Sequence, residues 1–200
     1  MKHLAVTLIS CGLLVSSGTT AILPGGLGAA SPFSPQESNL PNASTIVKPH
    51  IFVSLDPVPR GKEFKVAVVA DIASGFHMNS HKPTDDYLIA TTLKPQLPAG
   101  FELIDTIYPK GKLAKFSFSP DHALDVYSET VTLVLQLSAQ STAALGPTEI
   151  PMTLRYQACN DSACLPPVKL PLSAKFNVAK EGATPKEVHP EIFSRLLPTR

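Results

Sequence analysis

Val126-Tyr127-Ser128-Glu129-Thr130-Val131-Thr132-Leu133-Val134-Leu135-Gln136-Leu137-Ser138-Ala139 is the clearest β-prone run in the chain. Thr130, Thr132, Leu133, Val134, Leu135 and Leu137 include the branched residues that suit a pleated, half-buried surface. Upstream, Glu63 to Ala70 alternates charged and apolar residues, with Phe64, Val66 and Val68 on one face. That period of two predicts a strand with one buried face. Ile51 to Leu55 reads as a first strand, ended by Asp56-Pro57. Leu88 to Leu93, Phe101 to Tyr108 and Ala114 to Phe118 are weaker candidates. Downstream, Ile150 to Ala158 is a further strand. Val168 to Val178 alternates through Val168, Leu170, Leu172, Ala174 and Phe176. Prolines 166, 167 and 171 predict an edge or a bulge there, because proline cannot donate to a ladder.

Seven or more short strands separated by turn signals define an all-β chain and an antiparallel sandwich. The stretch 49–180 suits one domain. Residues 31–48, rich in Pro, Ser and Asn, read as a flexible linker. The tail, 181–200, holds one candidate short helix, Val188 to Leu197, with Ile192, Leu196 and Leu197 on a face. Residues 1–30 have the layout of a secretory signal: basic Met1-Lys2-His3, an apolar run from Leu4 to Val15, then small residues. Cleavage after Ala21 or after Ala30 fits. The run is too short to span a bilayer, which needs about 20 apolar residues. Leu8-Ile9-Ser10-Cys11 offers a second reading, a lipid-anchored Cys11, with a shorter apolar stretch before it than signals use. Export to an oxidising compartment, periplasmic or extracellular, and a soluble mature product are expected. Without Lys2, 16 basic residues face 16 acidic ones, a balance that gives no support to a nucleic-acid or anionic-membrane surface.

Two of the three cysteines lie outside the signal, as Cys159-Asn160-Asp161-Ser162-Ala163-Cys164. In an oxidising compartment a pair this close forms a disulfide. A closed loop this short restricts the unfolded chain little; the chain-entropy model gives about 2 kcal/mol. A structural staple and a redox tool both remain open from the spacing alone. Asn160, Asp161 and Ser162 are turn residues, so the pair sits at a turn between two strands, where an incoming thiolate could reach it. Asp161 favours the thiol over the thiolate, and no Lys, Arg or His lies inside the loop to offset it.

Other chemistries have less support. There is no Gly-x-Ser-x-Gly, His-Glu-x-x-His or phosphate-binding glycine loop. Asp85-Asp86 and Asp121-His122 read as solvated turn residues. His77, Met78 and His81, with the two cysteines, form a weak copper- or zinc-binding alternative. Gly75 and Pro83 place these histidines in an exposed loop. A non-enzymatic binding sandwich with a structural disulfide is the remaining alternative.

Tyr156-Gln157-Ala158-Cys159 through Cys164-Leu165-Pro166-Pro167 resembles the amino-terminal periplasmic domain of the thiol:disulfide interchange protein DsbD, in which a Tyr-Gln-x-Cys stretch precedes a second Cys and a Pro-Pro pair. Gly75-Phe76-His77-Met78-Asn79-Ser80 with Pro83, then Asp86-Tyr87-Leu88-Ile89, is similar to a second stretch of such domains. The resemblance spans roughly His50 to Val178. It implies an immunoglobulin-like sandwich that passes electrons from a membrane donor to periplasmic thioredoxin-like proteins, without a cofactor. It implies a catalytic disulfide, Cys159–Cys164, in which Cys164 meets partners and Cys159 resolves. It also implies an aromatic cap over the disulfide, with Phe116, Phe118 and Tyr156 as candidates. The chain departs from full-length relatives in lacking their transmembrane and thioredoxin-like domains, and its inter-cysteine loop is shorter.

Overall fold

A computed structural model describes residues 41–194. The expected signal segment with Cys11, most of the linker, and Leu196 and Leu197 of the expected helix lie outside those residues. The strands are β1 (Val47–Val53), β2 (Leu55–Asp56), β3 (Val58–Pro59), β4 (Lys62–Ile72), β5 (His77–Asn79), β6 (Thr92–Pro95) and β7 (Phe101–Ile107). There follow β8 (Lys112–Phe116), β9 (Ser119–Ser128), β10 (Thr130–Ala139), β11 (Gly146–Tyr156), β12 (Ala158–Cys159), β13 (Val168–Ala179) and β14 (Lys186–Glu187). The chain is an all-β, immunoglobulin-like antiparallel sandwich.

One sheet has the order β1-β4-β10-β7 and the second β3-β13-β11-β6. Phe64, Val66 and Val68 of β4 and Leu133, Leu135 and Leu137 of β10 face Ile150, Met152 and Leu154 of β11 and Ala174 of β13 in one core cluster. The period of two in the sequence produces this. Alternate side chains of a strand point to one face, and both inner faces are apolar. Burying each Val or Leu contributes about 1.5–3 kcal/mol against leaving it in water. The opposite face of the first sheet is also covered in part. Ala67 and Val134 pack under Phe193 of a short helix, α1 (Pro190–Phe193).

A third sheet, β12-β5-β9-β8, caps one end. Three of its strands continue strands of the larger sheets: β5 follows β4, β9 precedes β10 and β12 follows β11. This is where local reading of the sequence falls short. The run Val126–Ala139 is two strands, divided at Glu129, whose left-handed backbone (φ 63°) lies where the chain passes from β9 of the end sheet into β10 of the larger sheet without changing direction along β4 and β5. Ile150–Ala158 is likewise divided at Gln157, which links β11 of one sheet to β12 of another. His77–Asn79 is a strand rather than a loop. It has no alternating pattern of its own and is held by ladders to β9 and β12 on either side.

Regular structure also starts earlier than His50. Asn42 caps a 3-10 turn at Ala43–Thr45 by accepting from the Ser44 N–H, and β1 begins at Val47. Buried Tyr156 ties this lead-in down through its hydroxyl, which donates to the Ala43 carbonyl at 2.8 Å. The end of the expected linker is therefore docked on the core. Leu88–Leu93 yields only Thr92–Pro95 as strand. β13, as its prolines predict, pairs along its length with β11 alone and meets β3 only at Val178 and Ala179. At the C-terminal end, β14 pairs with β2, and the helix spans Pro190–Phe193 within the described residues.

Candidate functional site

The two cysteines stand opposite one another at the mouth of a tight hairpin. Asn160 N–H donates to the Ala163 carbonyl at 2.9 Å, and Leu165 N–H donates to the Ala158 carbonyl at 2.8 Å. Between those two bonded levels, Cys159 and Cys164 form the bridge without mutual backbone bonds, the level at which antiparallel neighbours approach most closely. Their Cα atoms are 3.9 Å apart and a disulfide joins them. The turn is built by Asn160, whose side-chain oxygen accepts from the Ser162 and Ala163 N–H groups, both at 2.9 Å. Asparagine at a turn start makes such bonds readily. The two cysteines differ sharply in access. Cys159 is fully buried (0% exposed), whereas Cys164 is exposed to solvent, as are Pro166 and Pro167 beside it.

β12 pairs with β5 so that Cys159 lies directly across from His77. On its other side His77 faces Ser128 of β9. The imidazole is 4% exposed and lies flat against Phe116, with ring centroids 3.9 Å apart and planes 17° apart. Phe118 stacks on Phe116 at 5.4 Å and is itself 37% exposed. Ser117 Oγ, between the two phenylalanines, donates to the Asp161 carbonyl. The β8–β9 turn and the cysteine turn are thereby joined, with an aromatic stack running from His77 outward. Burial pushes the His77 pKa down to about 4, against a smaller upward pull from the Asp161 carboxylate. The ring is neutral at ordinary pH, and its Nε2 is buried without a hydrogen-bond partner.

Cys159, Cys164, Phe116 and Phe118 thus converge. Tyr156 does not. As the inward residue of β11 it is buried in the main core, and its hydroxyl is committed to Ala43. The expectation that His77 and His81 are exposed loop residues is corrected. His77 is buried beside Cys159, and His81 stacks face to face on Tyr108 at 3.6 Å, with its Nδ1 3.0 Å from the Thr91 carbonyl oxygen. Met78 is in the core. Among the described residues no group of three His, Cys, Asp or Glu side chains is placed to hold a metal ion. Asp85 and His122, read separately as turn residues, meet at 2.8 Å. His77, named from the sequence only as a metal-binding alternative with the cysteines, is instead buried directly across from Cys159, a placement that sequence reasoning missed. Its signal was its place five residues after the end of the strongly patterned strand that closes at Ile72, and only cross-strand pairing reveals its neighbour.

The family profile described as thiol:disulfide interchange protein DsbD, N-terminal, matches residues 43–172, and the chain belongs to this family. No curated protein matches the chain. Among solved structures, the reduced N-terminal domain of DsbD from Neisseria meningitidis is 20% identical; the match covers 69% of this chain and 91% of that one, with a TM-score of 0.43. The complex between the DsbD and PilB N-terminal domains of the same organism is 18% identical, covering 68% and 88%, with a TM-score of 0.42. The N-terminal periplasmic domain of ScsB from Proteus mirabilis is 13% identical, covering 62% and 44%, also at 0.42. Membership of a thiol–disulfide interchange family and the surface disulfide agree in kind. Among the described residues no helix is long and apolar enough to cross a membrane.

Proposed function

We propose that the chain is an exported thiol–disulfide carrier, which takes electrons from a membrane-held dithiol and passes them to thioredoxin-like proteins through Cys159 and Cys164. The observation that carries this reading is the unequal access of the two cysteines across one exposed turn. A donor thiolate attacks Cys164 Sγ. The Cys159–Cys164 bond breaks, a mixed disulfide forms at Cys164, and Cys159 leaves with the electron pair and takes up a proton. A second donor thiol then displaces Cys164 and closes the donor's own disulfide. In the onward step the Cys164 thiolate attacks the acceptor's disulfide. Cys159 then attacks Cys164 Sγ and releases the reduced acceptor. Each cycle moves two electrons and two protons. This reading also takes residues 1–30 as the signal that delivers the chain to the periplasm.

Equilibration of the protein with dithiol buffers, followed by trapping of free thiols, tests this. A potential near about −230 mV, among known exchange proteins, is expected. One below about −300 mV marks a structural staple and overturns the reading. In the same scheme Phe116 and Phe118 act as a cap that limits casual reduction. Phe116→Ala is expected to speed reduction by a small dithiol about tenfold, since exchange depends on access to sulfur. Stopped-flow reduction at fixed dithiol reads this, and an unchanged rate removes the cap role.

A further inference from the structure

The carrier scheme leaves one buried group unused. His77 Nε2 has no partner, yet buried polar atoms in folded proteins nearly always have one. The ladder sets His77 directly across from Cys159. Directly opposed residues of an antiparallel pair project from the same face, with Cβ atoms about 4.5–5.5 Å apart. While the disulfide is closed, the Cys159 sulfur carries no proton and no charge, so it offers the imidazole little. Opening the disulfide changes that. Cys159 becomes a thiol or thiolate with no solvent access, and a buried thiolate without a partner is unfavourable.

We propose that His77 is the proton acceptor and hydrogen-bond partner of Cys159 in the open state, and so the residue that makes the buried resolving thiol reactive. This rests on the carrier reading above. In the resolving step the Cys159 proton moves to His77 Nε2, and the Cys159 thiolate attacks Cys164 Sγ. The Cys159–Cys164 bond forms and the bond from Cys164 to the partner sulfur breaks. The electron pair leaves with the partner sulfur, and the His77 proton passes to that thiolate or to water. The groups around the ring suit this. Asp161 from the cysteine turn is the facing carboxylate, and its pull favours the imidazolium. Cys159 faces from β12. Ser128 from β9 and Phe116 from β8 are uncharged. The stack on Phe116 fixes the ring plane. With the disulfide closed, desolvation keeps the ring neutral and ready to accept. The new thiolate beside it raises its basicity, so proton uptake follows disulfide opening.

The test uses the reduced full chain and an aromatic disulfide whose released thiolate is coloured. Attack by Cys164 releases the first coloured thiolate, and resolution by Cys159 releases the second. In His77→Phe, which keeps a ring for the stack, the second release is expected to slow relative to the first by about a hundredfold, the low end for proton-transfer catalysis. Its rate should also go on climbing with pH toward the ordinary thiol range near about 8.5, where the unsubstituted chain has levelled off. An unchanged ratio and pH profile overturn the proposal. Absence of the first release in the unsubstituted chain would instead sink the carrier reading. A second measurement does not depend on how His77→Phe folds. In Cys164→Ser with His77 intact, the ultraviolet absorbance of the lone Cys159 thiolate is titrated. Half-ionisation below about 8.5 supports the pairing, and a value at or above it, as burial alone would give, refutes it.

Discussion

Cys164→Ser is expected to abolish covalent exchange with thioredoxin-like proteins, and Cys159→Ser to arrest it as a stable mixed disulfide. The asymmetry comes from burial. Cys164 lies exposed on the last residue of the hairpin, while Cys159 is sealed at 0% exposure between β5 and the turn. An attacking sulfur must reach its target along the S–S axis, and only Cys164 can be approached in that way from outside. With serine at 164, the remaining thiol cannot meet a partner without opening the third sheet. With serine at 159, Cys164 still engages a partner, but nothing displaces it. Non-reducing electrophoresis and mass spectrometry after mixing with an oxidised thioredoxin-like protein read both outcomes. A trapped adduct on Cys164→Ser and none on Cys159→Ser would reverse the assigned roles.

The second large effect is on acid stability. His77 has its pKa lowered from 6.5 to about 4 in the folded chain, first by desolvation and against the pull of Asp161. The unfolded chain therefore binds the proton at a higher pH than the native one does. Between those two values the unfolded state holds more protons, so stability rises with pH across that window. The stabilising contribution is complete above about 6.5. It is lost progressively as pH falls, and below about 4 no more is lost from this group. The span corresponds to on the order of 3 kcal/mol. In His77→Phe this component should vanish, so the difference in urea midpoint between neutral pH and pH near 4 should shrink by a corresponding amount. The comparison is made with the disulfide oxidised in both chains. Equal losses in the two chains would show that the imidazole is not desolvated in the fold.

The two effects share one cause. The end sheet takes side chains that are distant in sequence and seals them together, and the same sealing that protects Cys159 withholds water from His77. Asn79 is fully buried there as well; it donates to the Ile89 carbonyl at 3.1 Å, while its Oδ1 has no partner. The main core carries most of the hydrophobic burial, so the end sheet can hold imperfectly satisfied polar groups at a cost of about 1–3 kcal/mol each.

By itself the sequence determined the all-β class, the alternating faces of β4 and β13, the turn at Asn160–Ala163 and the cysteine pair. Each depends on neighbours a few residues apart, and a strand's period of two or a turn's asparagine is legible at that range. Phe116 and Phe118 could be named from resemblance, but not their stacking order. Only the tertiary structure decided that Tyr156 belongs to the core, that Val126–Ala139 divides at Glu129, and that His77–Asn79 is a strand. It alone set His77 against Cys159, 82 positions further along the chain. The physical reason is that a three-residue strand has too few local hydrogen bonds and no pattern of its own. It exists because β9 and β12, brought alongside by the packing of the two larger sheets, supply its ladder on both sides.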